Sequence, residues 1–209
     1  MSHFVQAMNS LRAYHKARLT GRAAIAPHMG VIQTSNDTDI NTATIVSRGI
    51  TMSTVNGASD VSPEAALEIE ALKAMSQKLA EEQNKNMEVS IINDAQALSN
   101  EGVTPGATEA FKQKMNLKRE REKHLSAQNI DKIFDSAIEI GERHPAAQEA
   151  IVTFTELVTG LFREMSRVFN EFLAKVLSKV ITWVKTAFQD IKNTFGNIGD
   201  WIQGWFVRA

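Results

Sequence analysis

From Ile151 to Trp205 a large apolar residue recurs every three or four positions, and no other property constrains the fold of this chain as tightly. Ile151, Phe154, Val158, Leu161, Met165, Val168 and Phe172 form one register. The pattern shifts through Leu173 and resumes at Leu177. It then runs through Ile181, Val184, Phe188, Ile191, Phe195, Ile198, Ile202 and Trp205 in alternating steps of four and three. Such spacing keeps one stripe of a helix apolar along its length, so the helix must pack lengthwise against something. The shift between the two registers implies two halves with different partners rather than one continuous coiled coil.

Aromatic residues concentrate on this stripe. Only Phe4, Tyr14, Phe111 and Phe134 precede Pro145, and all three tryptophans, Trp183, Trp201 and Trp205, lie near the C-terminal end. Left in water, the nine large side chains from Leu177 onward would forgo roughly 15–25 kcal/mol of gross stabilisation. That exceeds the net stability of an ordinary domain, about 5–15 kcal/mol. The stripe must be covered.

Two helices precede it. Ser62-Pro63-Glu64 combines a capping hydroxyl, a proline at the first helical position and an acid at the positive end of the dipole. It predicts a helix over 63–98, with a stripe through Leu67, Leu72, Met75 and Leu79 that resumes at Met87, Ile91, Ala95 and Leu98. Thr104-Pro105 repeats the signal and predicts a second helix over 105–143, closed by Gly141 and Pro145, with a break near Ser126–Asn129. A third helix is expected over 145–193, at about 70 Å the longest of the three. Gly196, Gly199 and Gly204 each weaken helix beyond it by about 1 kcal/mol, which suggests a separate aromatic amphipathic tail over 194–209.

The expected fold is therefore all-α: an elongated antiparallel bundle of three long helices spanning 62–193, with an amphipathic C-terminal helix. Because the first two helices are shorter than the third, the tryptophan-bearing end should overhang. Its cover could be the bundle itself, the same tail of another subunit, a membrane surface, or a groove on a foreign protein. Trp183, Phe188, Ile191, Phe195, Ile198, Trp201, Ile202, Trp205 and Phe206 are the candidate membrane- or partner-binding residues. Lys175, Lys179, Lys185 and Lys192 form a basic flank suited to headgroups, diluted by Asp190 and Asp200.

Residues 1–61 read as a flexible region, basic at first and then rich in Ser, Thr and Asn. Arg12, Lys16, Arg18 and Arg22 precede the first acid, Asp37, while Phe4, Met8, Leu11 and Leu19 could form a weakly apolar face. Organelle targeting, a flexible basic arm and an export signal of another kind are the alternatives for this segment. Weak alternation over Asp39–Val46 could make a short strand, although so little apolar material favours disorder until something binds. Asp37, Asp39 and Asn41 imitate the start of a calcium loop, but the sixth position is Thr42 rather than Gly and the twelfth is Arg48 rather than Glu, so the calcium reading fails.

Composition narrows function mainly by exclusion. A formal net charge of −1 gives no global pull toward nucleic acid. Without cysteine there are no disulfides, thiolate chemistry or Cys-ligated metals. His3, His15, His28, His124 and His144 show no metal-ligand spacing, and no phosphate loop or nucleophile elbow occurs. His144 before Pro145 reads as a helix terminator. Lys118–Lys123 mixes both signs and reads as an exposed helix face. No apolar run reaches the roughly 20 residues of a membrane span, and no secretory signal is visible. The expectation is a soluble or peripheral membrane protein with no cofactor, metal or small-molecule substrate.

The reading that follows is a non-enzymatic helical interaction protein that acts through its C-terminal amphipathic helix at a membrane surface or partner groove. One alternative is a structural or scaffold subunit whose C-terminal stripe is a homo-oligomer seam. Another rests on general layout alone, a polar N-terminus, no cysteine and a long helical body, which resembles bacterial secreted effectors and translocator-type proteins.

Overall fold

The computed structural model describes residues 2–22, 24 and 61–207. All regular structure among them is helical. We number the helices α1 (His3–Leu19), α2 (Pro63–Glu101), α3 (Pro105–Arg143), α4 (Gln148–Ser178), α5 (Val180–Trp183) and α6 (Ala187–Val207), with a 3-10 turn at Pro145–Ala147 before α4. The proposed strand over Asp39–Val46 and the calcium-like residues lie outside the described residues.

The two proline starts behave as their chemistry requires. Ser62 Oγ accepts from the Ala65 N–H and Thr104 Oγ1 from the Ala107 N–H, each satisfying one orphan donor of a helix whose first residue is proline. Gly102, with φ +79, ends α2 and turns the chain into α3. The two helices run antiparallel, as Asp94 pairing with Lys118 and Gln83 bonding Ser126 require. His144 caps α3 and places Nε2 3.3 Å from Glu68 Oε2, joining the far ends of α2 and α3.

One core runs the length of the bundle, with Phe134, Phe154, Phe162, Phe169 and Phe195 among its largest fully buried members. Part of the expected α2 stripe does not join it. Leu67 is 73% exposed and Met75 and Leu79 are half-buried, while Leu72 is buried as expected and Ile69, Ser76 and Ala80 join it.

The long third helix is the main correction. The chain does not continue to Asn193 as one rod. It breaks after Ser178, makes the single turn of α5, and turns again at Val184–Thr186 before α6. Residue 193 is no boundary either, because α6 runs through it to Val207. No end overhangs. The tail reverses and packs against α2, with further contacts to α4.

The N-terminal region expected to be flexible contains a second departure. α1 lies antiparallel on α3 and also touches α4, burying Phe4, Met8, Leu11 and Leu19. Arg12 pairs with Asp135 at 2.8 Å and Lys16 with Asp131 at 2.5 Å. Gly141, expected to end α3, lies inside it, and a Cβ there would overlap the Phe4 ring. The glycine makes room for a neighbour. It caps nothing.

The expected break at Ser126–Asn129 is absent, because Ser126 and Asn129 turn inward and bond across the bundle instead of competing with the helix backbone. Glu122, from the run read as an exposed face, is 1% exposed. Its carboxylate accepts from Gln83 at 3.1 Å, Ser126 at 2.8 Å and Ser166 at 2.7 Å, linking α2, α3 and α4. Asn129 completes the layer by donating to Gln83 Oε1 at 2.7 Å. Burial pushes the Glu122 carboxyl above the usual range, while Ser166, Ser126, Lys123 and Gln83 oppose the shift.

Candidate functional site

The site expected from the stripe is α6 with the turn that delivers it. α6 is amphipathic, and its burial follows helical spacing. Ile191, Phe195, Ile198, Ile202 and Phe206 are buried; Trp201 and Trp205 flank them half-buried; Phe188 is 46% exposed. The opposite face carries Lys192, Gly196, Asn197, Asp200 and Gln203, all exposed.

The seat is a stripe of α2. Asn84 donates from Nδ2 to the Phe195 carbonyl at 3.0 Å, a side-chain bond to the middle of a neighbouring helix. Ala80, Met87, Ile91, Ala95 and Leu98 continue the Asn84 stripe at three- and four-residue spacing and are buried. Gly199, one turn beyond Phe195, lies over the same Asn84 amide, where an added Cβ would come within 3.6 Å. From α4, Phe169 and Phe172 meet the Phe195 ring edge-on, with centroids 6.2 and 5.6 Å away.

Trp183 holds the turn. Its ring packs 5.8 Å from Phe111 of α3 and 6.3 Å from Phe172 of α4, so the reversal is pinned to the end of the bundle. The residue is buried, yet its indole N–H meets no acceptor among the described residues. Such an unpaired donor costs about 1–3 kcal/mol. Lys175, Lys179, Thr182, Thr186 and Asp190 line a depression beside it.

The structure thus brings the apolar candidates together and leaves the basic ones in water. Lys175, Lys179, Lys185 and Lys192 are all exposed, spread over α4, the turn and α6. α6 itself carries one lysine, Lys192, and two acids, Asp190 and Asp200.

Two features escaped the sequence. Asn84 read as a polar gap between two halves of the α2 stripe, and only the packed α6 shows what it binds. Glu122 looked like one charge among many. Its position one turn before Ser126 was the one available signal. No cluster of His, Asp or Glu among the described residues could hold a metal ion, and no helix is long and apolar enough to cross a membrane. Comparison with protein-family models, curated proteins and solved structures finds nothing that matches this chain.

Proposed function

We propose that this chain is a non-enzymatic interaction protein whose C-terminal helix, α6, is a releasable groove ligand. The carrying observation is that α6 already sits in a groove. Its apolar face lies on the Asn84 stripe of α2, joined to the rest of the bundle by a turn it could swing on. Recognition of an amphipathic helix by an apolar groove uses anchors at such three- and four-residue steps.

Three features support release. Gly196, Gly199 and Gly204 lower the intrinsic stability of α6 by about 1 kcal/mol each relative to alanine, so the helix depends on its seat. The Trp183 pin carries an unpaired donor. α6 is also an outer element whose main contact is with one helix. Elements that move are drawn from such weakly held parts of a structure.

A protein groove suits this helix better than a lipid surface. Interfacial helices are rich in Lys and Arg on their polar face, whereas that of α6 carries one lysine against two acids.

Hydrogen exchange on the full chain, with and without vesicles of neutral or anionic lipid, tests the reading. α6 amides should exchange well before those of α2, α3 and α4, and vesicles should leave them unchanged. Protection of α6 equal to that of α3 would sink the proposal. Slowing by vesicles would move the binding surface to the membrane.

A further inference from the structure

The heptad stripe ignores the turn. Leu177, Ile181, Val184, Phe188, Ile191, Phe195, Ile198, Ile202 and Trp205 keep their alternating spacing straight through the break between α4 and α6. At 3.6 residues per turn they fall within about a third of the circumference of a single helix. In the folded-back chain only the second part of this seam is well covered. Ile191, Phe195, Ile198 and Ile202 are buried, while Ile181 is 64% exposed, Phe188 is 46% exposed, and Leu177 and Val184 are only partly covered. The uncovered members are contiguous, and they cluster at the turn.

The turn itself contains no obligatory helix breaker. Between Lys179 and Thr186 there is no glycine or proline. Among the described residues positive φ occurs only at Gly21 and Gly102. Lys179 leaves the helical region modestly, at φ −137 and ψ 30, and Val184 is already right-handed helical. Five β-branched residues in this stretch weaken helix without forbidding it. What folds the chain back is tertiary contact, chiefly the Trp183 pin and the α2 seat.

We propose that two copies of this chain exchange their α6 helices. In the exchanged pair α4, α5 and α6 join into one helix over Gln148–Val207, about 90 Å long, and each α6 occupies the Asn84 stripe of the other copy's α2. The occupant is a second copy because that groove already fits this segment, so every contact α6 makes with α2 within one chain reforms between chains. Around the two-fold axis the straightened hinges lie side by side, and Leu177, Ile181, Val184 and Phe188 of the two copies cover one another. This gives cover to Ile181 and Phe188, which the monomer leaves exposed, and completes that of Leu177 and Val184. The proposal rests on α6 being releasable and names what it is released to.

The absence of cysteine makes the test clean. Position 199 lies beside the Asn84 amide, so N84C on one chain and G199C on a second, size-tagged chain can be linked by a short thiol-bridging reagent only if α6 crosses between chains. Mixed full-length chains should give the heterolinked species, increasingly at high concentration. Ile181→Gln with Phe188→Gln in both chains should lower the association constant on the order of a hundredfold, because both residues gain cover only in the pair. A double variant, N84C with G199C in one chain, that links internally while the separate chains never link would overturn the exchange. Light scattering on the unsubstituted chain is an independent reading: a mass of two copies at high concentration is expected, and a single-copy mass throughout would also overturn it. Early hydrogen exchange in α6 without any heterolink would leave α6 releasable and remove only the exchange; protection equal to the core would remove both.

Discussion

α1 and α6 are both accessory helices that lay an apolar face on the same three-helix core, but among the described residues only α1 adds ion pairs to the core. α1 docks on α3 and α4 by burying Met8, Leu11 and Leu19, and adds charge pairs and one shaped contact. Arg12 and Lys16 reach Asp135 and Asp131, Arg12 lies 5.8 Å over the Phe134 ring, and the Phe4 ring fills the space Gly141 leaves open. α6 docks through a continuous apolar face, with a cross-helix hydrogen bond from Asn84 among the described residues. A helix that adds charge pairs and a buried histidine to its apolar face should respond to protons and, weakly, to salt. One held by apolar area should respond to the loss of a side chain.

The largest expected effect is on α6. Phe195→Ala empties the position where α2, α4 and α6 meet and should cost about 3–5 kcal/mol, read by denaturant unfolding together with hydrogen exchange in α6. If α1 loosened as much as α6, the two docks would not be separate units.

Acid should act on the other dock. His15 sits between α1 and the core, its pKa lowered to about 4 by burial first, then by Arg163 and Arg18. Because the folded value lies below the usual 6.5, the unfolded chain binds the proton more readily between these values. The stabilisation is therefore complete above about pH 6.5 and is lost as the pH falls toward 4, up to about 3 kcal/mol in all. Glu122 has the opposite sign. Its raised pKa means that the buried layer loses stability as the pH climbs above the ordinary carboxylate value, so mild acid favours it. Hydrogen exchange at pH 7 and pH 5 should show α1 opening while the centre of the bundle does not. His15→Phe should abolish the α1 response, and its persistence would locate the proton elsewhere.

Gly141→Ala should push Phe4 from its place and weaken α1 by about 1–3 kcal/mol, seen as faster proteolysis near the N-terminus. Phe4→Ala combined with it should recover part of the loss, since the overlap is then gone. The smallest effect is that of salt. The Arg12 and Lys16 pairs are partly exposed and worth about 0.2–1 kcal/mol each. Raising the ionic strength to about 1 M shortens the screening length to about 3 Å and should speed exchange in α1 slightly, but not in α6.

The sequence made much of this fold legible, and the places where it misled are instructive. The starts of α2 and α3 were readable because capping is local: a hydroxyl, a proline and the next few amides suffice. Gly141 and Ser126–Asn129 misled for the converse reason. Glycine and small polar residues usually mark ends, but here Gly141 accommodates a ring from 137 residues earlier in the chain, and Ser126 and Asn129 satisfy partners on other helices. α1 was visible only as a weak apolar face, because Gly141 and the two aspartates that hold it lie on α3.

The candidate site divides the same way. Its residues were named from periodicity, since spacing alone determines which side chains share a helical face. Whether that face turned outward or home was not encoded in the spacing. The stripe from Leu177 to Trp205 keeps one spacing, and the glycines that weaken helix along it, Gly196, Gly199 and Gly204, do not lie where the chain turns. The reversal at Lys179–Thr186 is a tertiary event, set where Trp183 meets Phe111 and Phe172 and where the α2 stripe offers a seat. Sequence by itself determined the helices and their apolar faces, because propensity and period act over a few residues. Only the tertiary structure decided which faces meet, because that depends on lengths, ends and partners far apart in the chain.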